Sequence, residues 1–159
     1  MPITVRPAQP QDSAAILGLI RKLAAFEDTA GAVTLTEEVI RRDAFGDQRR
    51  FEVLLAERAG AVCGLVVLLT SYSSWHGAPT LVIHDLFVDE AARGCGAGRS
   101  LLTAAAQLAQ HRECCRIDLN VVGWNEAAQK FYLGLGFTPV SGWQPYRLDR
   151  DGLARLAEG

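Results

Sequence analysis

Apolar positions fall into two spacings along the chain, helical and alternating, and the two take turns. Residues 3–6 form a short β-branched run, read as a first strand. Beyond Asp12 and Ser13, either of which suits a cap, Ile16, Leu19, Ile20 and Leu23 make one apolar helix face. Thr34 and Glu37 are spaced as a capping box and open a second helix that ends near Ala44. Residues 51–56 and 62–71 read as strands around Ala59 and Gly60, so a hairpin. An aromatic, polar loop is expected over 72–79. Residues 81–88 are apolar and β-branched apart from His84 and Asp85, a buried strand, and Leu101, Leu102, Ala105, Leu108 and Ala109 then space out a helix over 100–110. A strand over 116–122 and a short helix over 125–133, closed by Gly134 and Gly136, come next. Residues 137–140 and 143–148 predict two last strands, and Asp149 caps a final helix with Leu153 and Leu156. The order β-α-α-β-β-β-α-β-α-β-β, with no repeat, low-complexity stretch or linker, describes one mixed α/β domain over 1–159.

The most informative join lies between the strand at 81–88 and the helix at 100–110. It reads Arg93-Gly94-Cys95-Gly96-Ala97-Gly98-Arg99. A strand, a glycine-rich turn and a helix N-terminus make an anion site, because glycine allows close approach and the first helical N–H groups point outward. A phosphate or pyrophosphate is the expected ligand. A dinucleotide fingerprint fails, since its third glycine would fall on Arg99, and no Gly-Lys-Ser/Thr exists for a triphosphate loop. Alone, the hexamer equally fits a tight turn of small residues.

Composition narrows the class. The chain has 159 residues, 49% apolar, with a formal net charge of −2 and no basic stripe, which argues against nucleic acid as a partner. The longest apolar run, near 61–69, is too short to cross a bilayer, and the first residues carry no signal-peptide pattern. Cys63, Cys95, Cys114 and Cys115 form no Cys-x-x-Cys pair, so a reduced cytoplasmic protein without a metal site is expected. Cys95 has no evident base beside it and reads as a small turn residue rather than a nucleophile.

A second motif decides what the glycine turn is for. Asn125, then Phe131-Tyr132, then Gly136-Phe137 follow the Arg93-x-x-Gly96-x-Gly98 turn in order and at suitable spacing. Together the two motifs resemble the GNAT superfamily of acyl-CoA N-acyltransferases over the whole chain. Leu35-Thr36-Glu37-Glu38, the 42–46 stretch, Trp75 and Gly142-Trp143 narrow the resemblance to its diamine branch, the spermidine/spermine and thialysine N-acetyltransferases. The fold implied is a single-domain GNAT fold, a mixed, mostly antiparallel twisted sheet flanked by helices.

The resemblance implies an acetyl-CoA-dependent N-acetyltransferase acting on a small amine, by direct transfer through a tetrahedral intermediate. It implies that the amides of Leu86, Phe87 and Val88 pair with the pantetheine arm. Arg93, Gly94, Cys95, Gly96, Ala97, Gly98 and Arg99 would hold the pyrophosphate, and Asn125 would contact the pantetheine or phosphate region. Tyr132 would be the general acid toward the thiolate. Glu27, Trp75, Asn120 and Trp143 would frame the amine. His84 stands where the branch typically has a glutamate. A histidine of ordinary pKa near ~6.5 suits a base at neutral pH, and a core histidine bonded to a neighbour suits the position as well. Alternation puts His84 and Asp85 on opposite faces. Ser73 and Ser141 stand where the branch has further carboxylates. A pocket short of about three carboxylates loses much of its preference for a polycation, so an acceptor other than spermine is expected. Two other readings stay open: a peptide or protein N-acetyltransferase, and a non-catalytic acyl-CoA-binding domain. The branch also implies a homodimer.

Overall fold

A computed structural model describes residues 1–159 as two compact units, Met1–Asn120 and Val121–Gly159. The first unit holds one sheet. Its strands are β1 (Ile3–Pro7), β2 (Glu52–Arg58), β3 (Ala61–Ser73), β4 (Ala78–Val88) and β5 (Ile117–Leu119). They lie in sequence order, the first four antiparallel, with β5 parallel to β4. Two helices, α1 (Ser13–Phe26) and α2 (Glu37–Phe45), precede β2, and α3 (Ala97–His111) joins β4 to β5.

The centre of the sheet is buried on both sides, which is why β3 reads as a continuous apolar run. Leu65 and Val67 share one face with Ile16, Leu17 and Leu19 of α1, Ile40 of α2, and Phe87. Val66 and Leu68, one step out of phase, are also fully buried. On that second face α3 comes so close that a Cβ on Gly64 would lie 3.0 Å from the Phe87 carbonyl oxygen and 3.4 Å from Leu101. The far end of α3 is tied to β2 by Arg112, whose guanidinium donates to both Glu52 oxygens at 2.6 and 2.7 Å.

Several expected starts and ends move. The Asp12 carboxylate accepts from Arg6 at 2.7 and 3.0 Å and from the Gln9 N–H, while Ser13 Oγ donates to the Pro10 carbonyl, so neither side chain caps α1. Thr36, not Thr34, caps α2 by accepting from the Val39 N–H. The aromatic loop is only a tight hairpin turn, because β3 and β4 pair as far as Ser73 and Ala78. The strand expected over 116–122 shortens to 117–119.

The second unit holds α4 (Glu126–Gly134) and α5 (Arg150–Ala157). Asn125 caps α4 through its side-chain oxygen, and Asp149 caps α5 as expected. The two strands expected over 137–140 and 143–148 do not form. Pro139 and Pro145 interrupt both runs and cannot donate to a ladder, and Val140, Trp143 and Tyr146 are exposed.

Candidate active site

The site begins with an irregularity in β4. Val67 of β3 faces Asp85, yet the next residue, Leu68, faces Ile83. His84 is therefore one residue too many, a β-bulge. A bulge resets the two-residue alternation, and this corrects the expectation of opposite faces: His84 and Asp85 line the same pocket. That pocket has a volume of about 510 Å³. Glu27 at the end of α1 and Arg50 just before β2 join them, with apolar walls from Leu23, Leu35 and Phe51. Burial pushes the Asp85 carboxyl above the usual range, with the neighbouring His84 pulling the other way.

Past the bulge, β4 has a strand on one side only. Its pairing with β5 covers 81–83, while β3 accompanies it to Val88. The Asp89 N–H donates to the Cys63 carbonyl of β3 at 2.8 Å. The Phe87 carbonyl oxygen likewise lies toward Gly64 of β3. Backbone groups alternate in direction along a strand, so those of Leu86 and Val88 face the open edge. The Phe87 amide is thus committed to the sheet, and the expected pairing with a ligand narrows to Leu86 and Val88.

The open edge runs into the glycine turn. Gly94 and Gly96 have φ of +75° and +87°, the left-handed region that glycine enters freely. They flank Cys95 in the turn, and Gly96 starts α3 with no side-chain cap. The first N–H groups of α3 are the donors such an end leaves over. Nothing stands within 4 Å of a Cβ built on either glycine, so the cradle is open. A phosphate or pyrophosphate fits this donor set. Cys95 donates its thiol proton to the Ala92 carbonyl at 2.6 Å, which makes it a staple of the turn. The Arg93 guanidinium lies over the rings of Phe26 and Phe87, 5.0 and 5.8 Å from their centres, and Arg99 is exposed in the first turn of α3.

Within the first unit, Glu27 and His84 are brought together. Trp75 sits at the tip of the β3–β4 turn, 87% exposed, and Asn120 is exposed beyond β5; neither lines the pocket. Ser73, where the branch has a carboxylate, closes the hairpin instead: its hydroxyl meets His76 Nδ1 at 2.9 Å. In the second unit, Asn125 spends its side-chain oxygen on the Ala128 N–H. Tyr132 lies edge-on to Phe131 and Phe137, with ring centres 5.3 and 5.5 Å away, and burial pushes its phenol up to about 12. Trp143 is exposed. Arg50 is the residue that sequence reasoning missed. It belongs to no motif, and only the register of β2 against β3 carries it to the pocket.

The first unit thus carries an open glycine turn at a helix N-terminus, a strand edge with a partner on one side only, and a pocket with a histidine and two carboxylates. The model of the acetyltransferase (GNAT) family matches residues 20–137, and the chain belongs to that family of acetyl-CoA-dependent N-acetyltransferases. Within it, the chain falls with the diamine branch. It is 31% identical over 166 residues to a thialysine N-epsilon-acetyltransferase of Bos taurus, covering 98% of this chain and 97% of that one. It is 32% identical to the human spermidine/spermine N(1)-acetyltransferase-like protein 1, over 96% of this chain but 23% of that protein. Among solved structures, an integron cassette protein from V. cholerae superimposes with a TM-score of 0.83 at 22% identity, covering 100% of this chain and 99% of that one. An aminoglycoside acetyltransferase from a soil metagenome reaches 0.77 at 18% identity, covering 91% of this chain and 94% of that one. At those identities the likeness speaks for the fold. No helix of the chain is long and apolar enough to cross a membrane.

Proposed function

We propose that the chain transfers the acetyl group of acetyl-CoA directly to the nitrogen of a small primary amine. The observation that carries this reading is the β4 bulge. It turns His84 and Asp85 into one walled pocket, immediately before the strand edge left open at Leu86 and Val88. Those two residues would hold the pantetheine arm. The cradle from Arg93 to Arg99 would take the pyrophosphate, chiefly through backbone N–H groups, and Asn125 would complete the binding of the pantetheine or phosphate region.

The amine must arrive neutral, and His84 is assigned the proton it gives up. The amine lone pair then attacks the thioester carbonyl carbon to give a tetrahedral intermediate. The C–S bond breaks, and Tyr132 supplies a proton to the departing thiolate. Glu27 is the remaining carboxylate in the pocket and attracts the cationic amine. Trp75, Asn120 and Trp143 are assigned to the rim of the acceptor site by resemblance. With Ser73 and Ser141 in place of carboxylates, and with Arg50 lining the pocket, spermine is disfavoured.

The branch also supports a homodimer, a state that would give the exposed Val140, Trp143 and Tyr146 a partner; sedimentation equilibrium tests it. Four free thiols fit a reducing, cytoplasmic setting. Thiol release from acetyl-CoA across a panel of amines, amino acids, aminoglycosides and short peptides tests the function, with Tyr132→Phe as control. Release that depends on a small amine and is lost in the control supports the reading. Release with peptides alone would move the assignment to peptide acetylation, and binding of acetyl-CoA without release would make the chain a binding domain.

A further inference from the structure

We infer that the end of α1 holds the pyrophosphate turn in place, Lys22 through Asp89 and Phe26 through Arg93, so that Lys22 and Phe26 are positioning residues for the diphosphate of CoA. The inference rests on the N-acetyltransferase reading above and adds to it how the donor's cradle is fixed to the helix that walls the acceptor pocket.

α1 meets two parts of the site. Ile20, Leu23, Ala24 and Glu27 line the pocket. Lys22 and Phe26, one helical turn apart, reach the chain on either side of the short turn Glu90–Ala92 that leads into the glycines. Lys22 Nζ donates to Asp89 Oδ2 in a hydrogen-bonded ion pair. The Asp89 carboxylate makes no cap bond to the turn it opens, and Lys22 is the chief cause holding it below the usual carboxylate range. On the other side of the turn, the Arg93 guanidinium lies over the rings of Phe26 and Phe87, and its Nε donates a long hydrogen bond to the Val88 carbonyl at 3.4 Å. That side chain is committed to α1 and β4, so the phosphates fall to the backbone N–H groups of the turn.

A glycine turn needs such ties, because the residues that let it curl also leave it free to drift. Gly94 and Gly96 take positive φ with open space around them. Backbone bonds hold the entrance: the Asp89 N–H donates to the Cys63 carbonyl at 2.8 Å, and the Ala92 N–H to the Asp89 carbonyl at 2.8 Å. The Cys95 thiol closes onto the Ala92 carbonyl. Lys22 and Phe26 add the link to α1 and thus to Glu27. Charge alone would act differently from a tie. With Asp89 replaced by asparagine, Lys22 would become an unpaired cation near the diphosphate, which favours binding. If Lys22 works by holding Asp89, the same replacement loosens the turn and weakens binding. Tie and charge therefore predict opposite outcomes for Asp89→Asn.

The test titrates CoA, and pantetheine as the probe that lacks the diphosphate, into wild type, Lys22→Met, Asp89→Asn, the two combined, and Phe26→Leu. Calorimetry reads the affinities, and the thermal midpoint checks that each variant is folded. The expected result is CoA binding weaker by about 2- to 5-fold in each single variant, the range of an exposed ion pair or cation–π contact, with pantetheine binding unchanged. Lys22→Met and Asp89→Asn combined lose no more than either alone, because both break one contact. Tighter or unchanged CoA binding in Asp89→Asn would make Lys22 a plain cation and overturn the inference. Unchanged CoA binding in Lys22→Met or Phe26→Leu, additive losses in the combined variant, or CoA and pantetheine weakened alike would overturn it too. Each of these leaves the acetyltransferase standing. If the wild type binds no CoA, the acetyltransferase reading itself fails.

Discussion

Replacing Tyr132 by phenylalanine removes one oxygen and keeps the ring that meets Phe131 and Phe137. The phenol is pushed up to about 12 by burial alone. Against a thiol of ordinary pKa ~8.5, that gap makes proton transfer uphill by roughly 5 kcal/mol, where an unperturbed phenol at ~10 would cost roughly 2. A thiolate leaving into an equally dry place is raised as well, so part of the gap closes as the C–S bond breaks. The expected loss in kcat is about 10²- to 10⁴-fold, the usual range for a general acid, with KM for acetyl-CoA little changed and the thermal midpoint held. Burial makes a second demand. A phenol at about 12 stays protonated throughout an ordinary assay range. The rate profile should therefore show no falling limb from Tyr132 between pH 7 and 10. Stopped-flow thiol release against pH, in wild type and Tyr132→Phe, checks both. A loss under threefold would remove the acid role. A falling limb near pH 9–10 that vanishes in the variant would refute the argument from burial.

Asp85→Asn should stabilise the fold at neutral pH. The carboxyl is raised in the folded chain, so its charge costs stability once the pH exceeds the raised value, and nothing below its unfolded value near ~3.9. Urea unfolding at pH 8 and pH 3.5 should show a gain only at the higher pH, and no gain at pH 8 would contradict it. Gly64→Ala places a methyl 3.0 Å from a backbone oxygen of β4 and 3.4 Å from Leu101, an overpacking that costs about 1–3 kcal/mol. Calorimetry should read a midpoint lower by roughly 2–10 °C, and an unchanged midpoint would mean α3 shifts freely. Glu52 and Asp12 are held below the usual carboxylate range by Arg112 and Arg6. Their contribution is full above the ordinary carboxylate pKa near ~4 and fades as the pH falls through the depressed values. Arg112→Met should therefore flatten the loss of stability between pH 5 and 2, and an unaltered slope would show the pair to be idle.

The helices were legible because their signals are local. Apolar spacing locates α1 and α3, and the glycine turn needs only the φ freedom that its residue types announce, while the cap of α2 was expected at Thr34 and falls two residues on, at Thr36. The order of β2, β3 and β4 was legible too, since each run is apolar and the Ala59–Gly60 turn is short. What failed depended on partners elsewhere. Asp12 looks like a cap until Arg6 claims its carboxylate. Residues 137–140 and 143–148 were read as strands, and a proline interrupts each. Arg50 reaches the pocket through a register that spans three strands, and no pattern in its own neighbourhood marks it.

The bulge in β4 shows why His84 and Asp85 were expected on opposite faces and yet line one pocket. Read with a strict two-residue period, Leu81, Ile83, Asp85 and Phe87 share one face. Ile83 faces Leu68, on the side that α3 covers, so an unbroken strand would set the Asp85 carboxyl beneath that helix among apolar side chains. A charge there would be expensive to ionise and useless to a substrate. The extra residue at 84 reverses the phase. Ile83 stays under α3, while Asp85 and Phe87 cross to the face of α1 and α2, where Phe87 joins the core and Asp85 reaches the pocket. Along the pairing edge, β5 stops at the partner of Ile83, just before the bulge. Beyond it, the strand keeps its partner on one side and frees the backbone of Leu86 and Val88 on the other. Turning a carboxylate into the pocket and leaving a strand edge open to a ligand are thus arranged around the same extra residue. Deleting His84 should therefore do more than remove an imidazole: it would move Asp85 under α3 and take the pocket and the fold together.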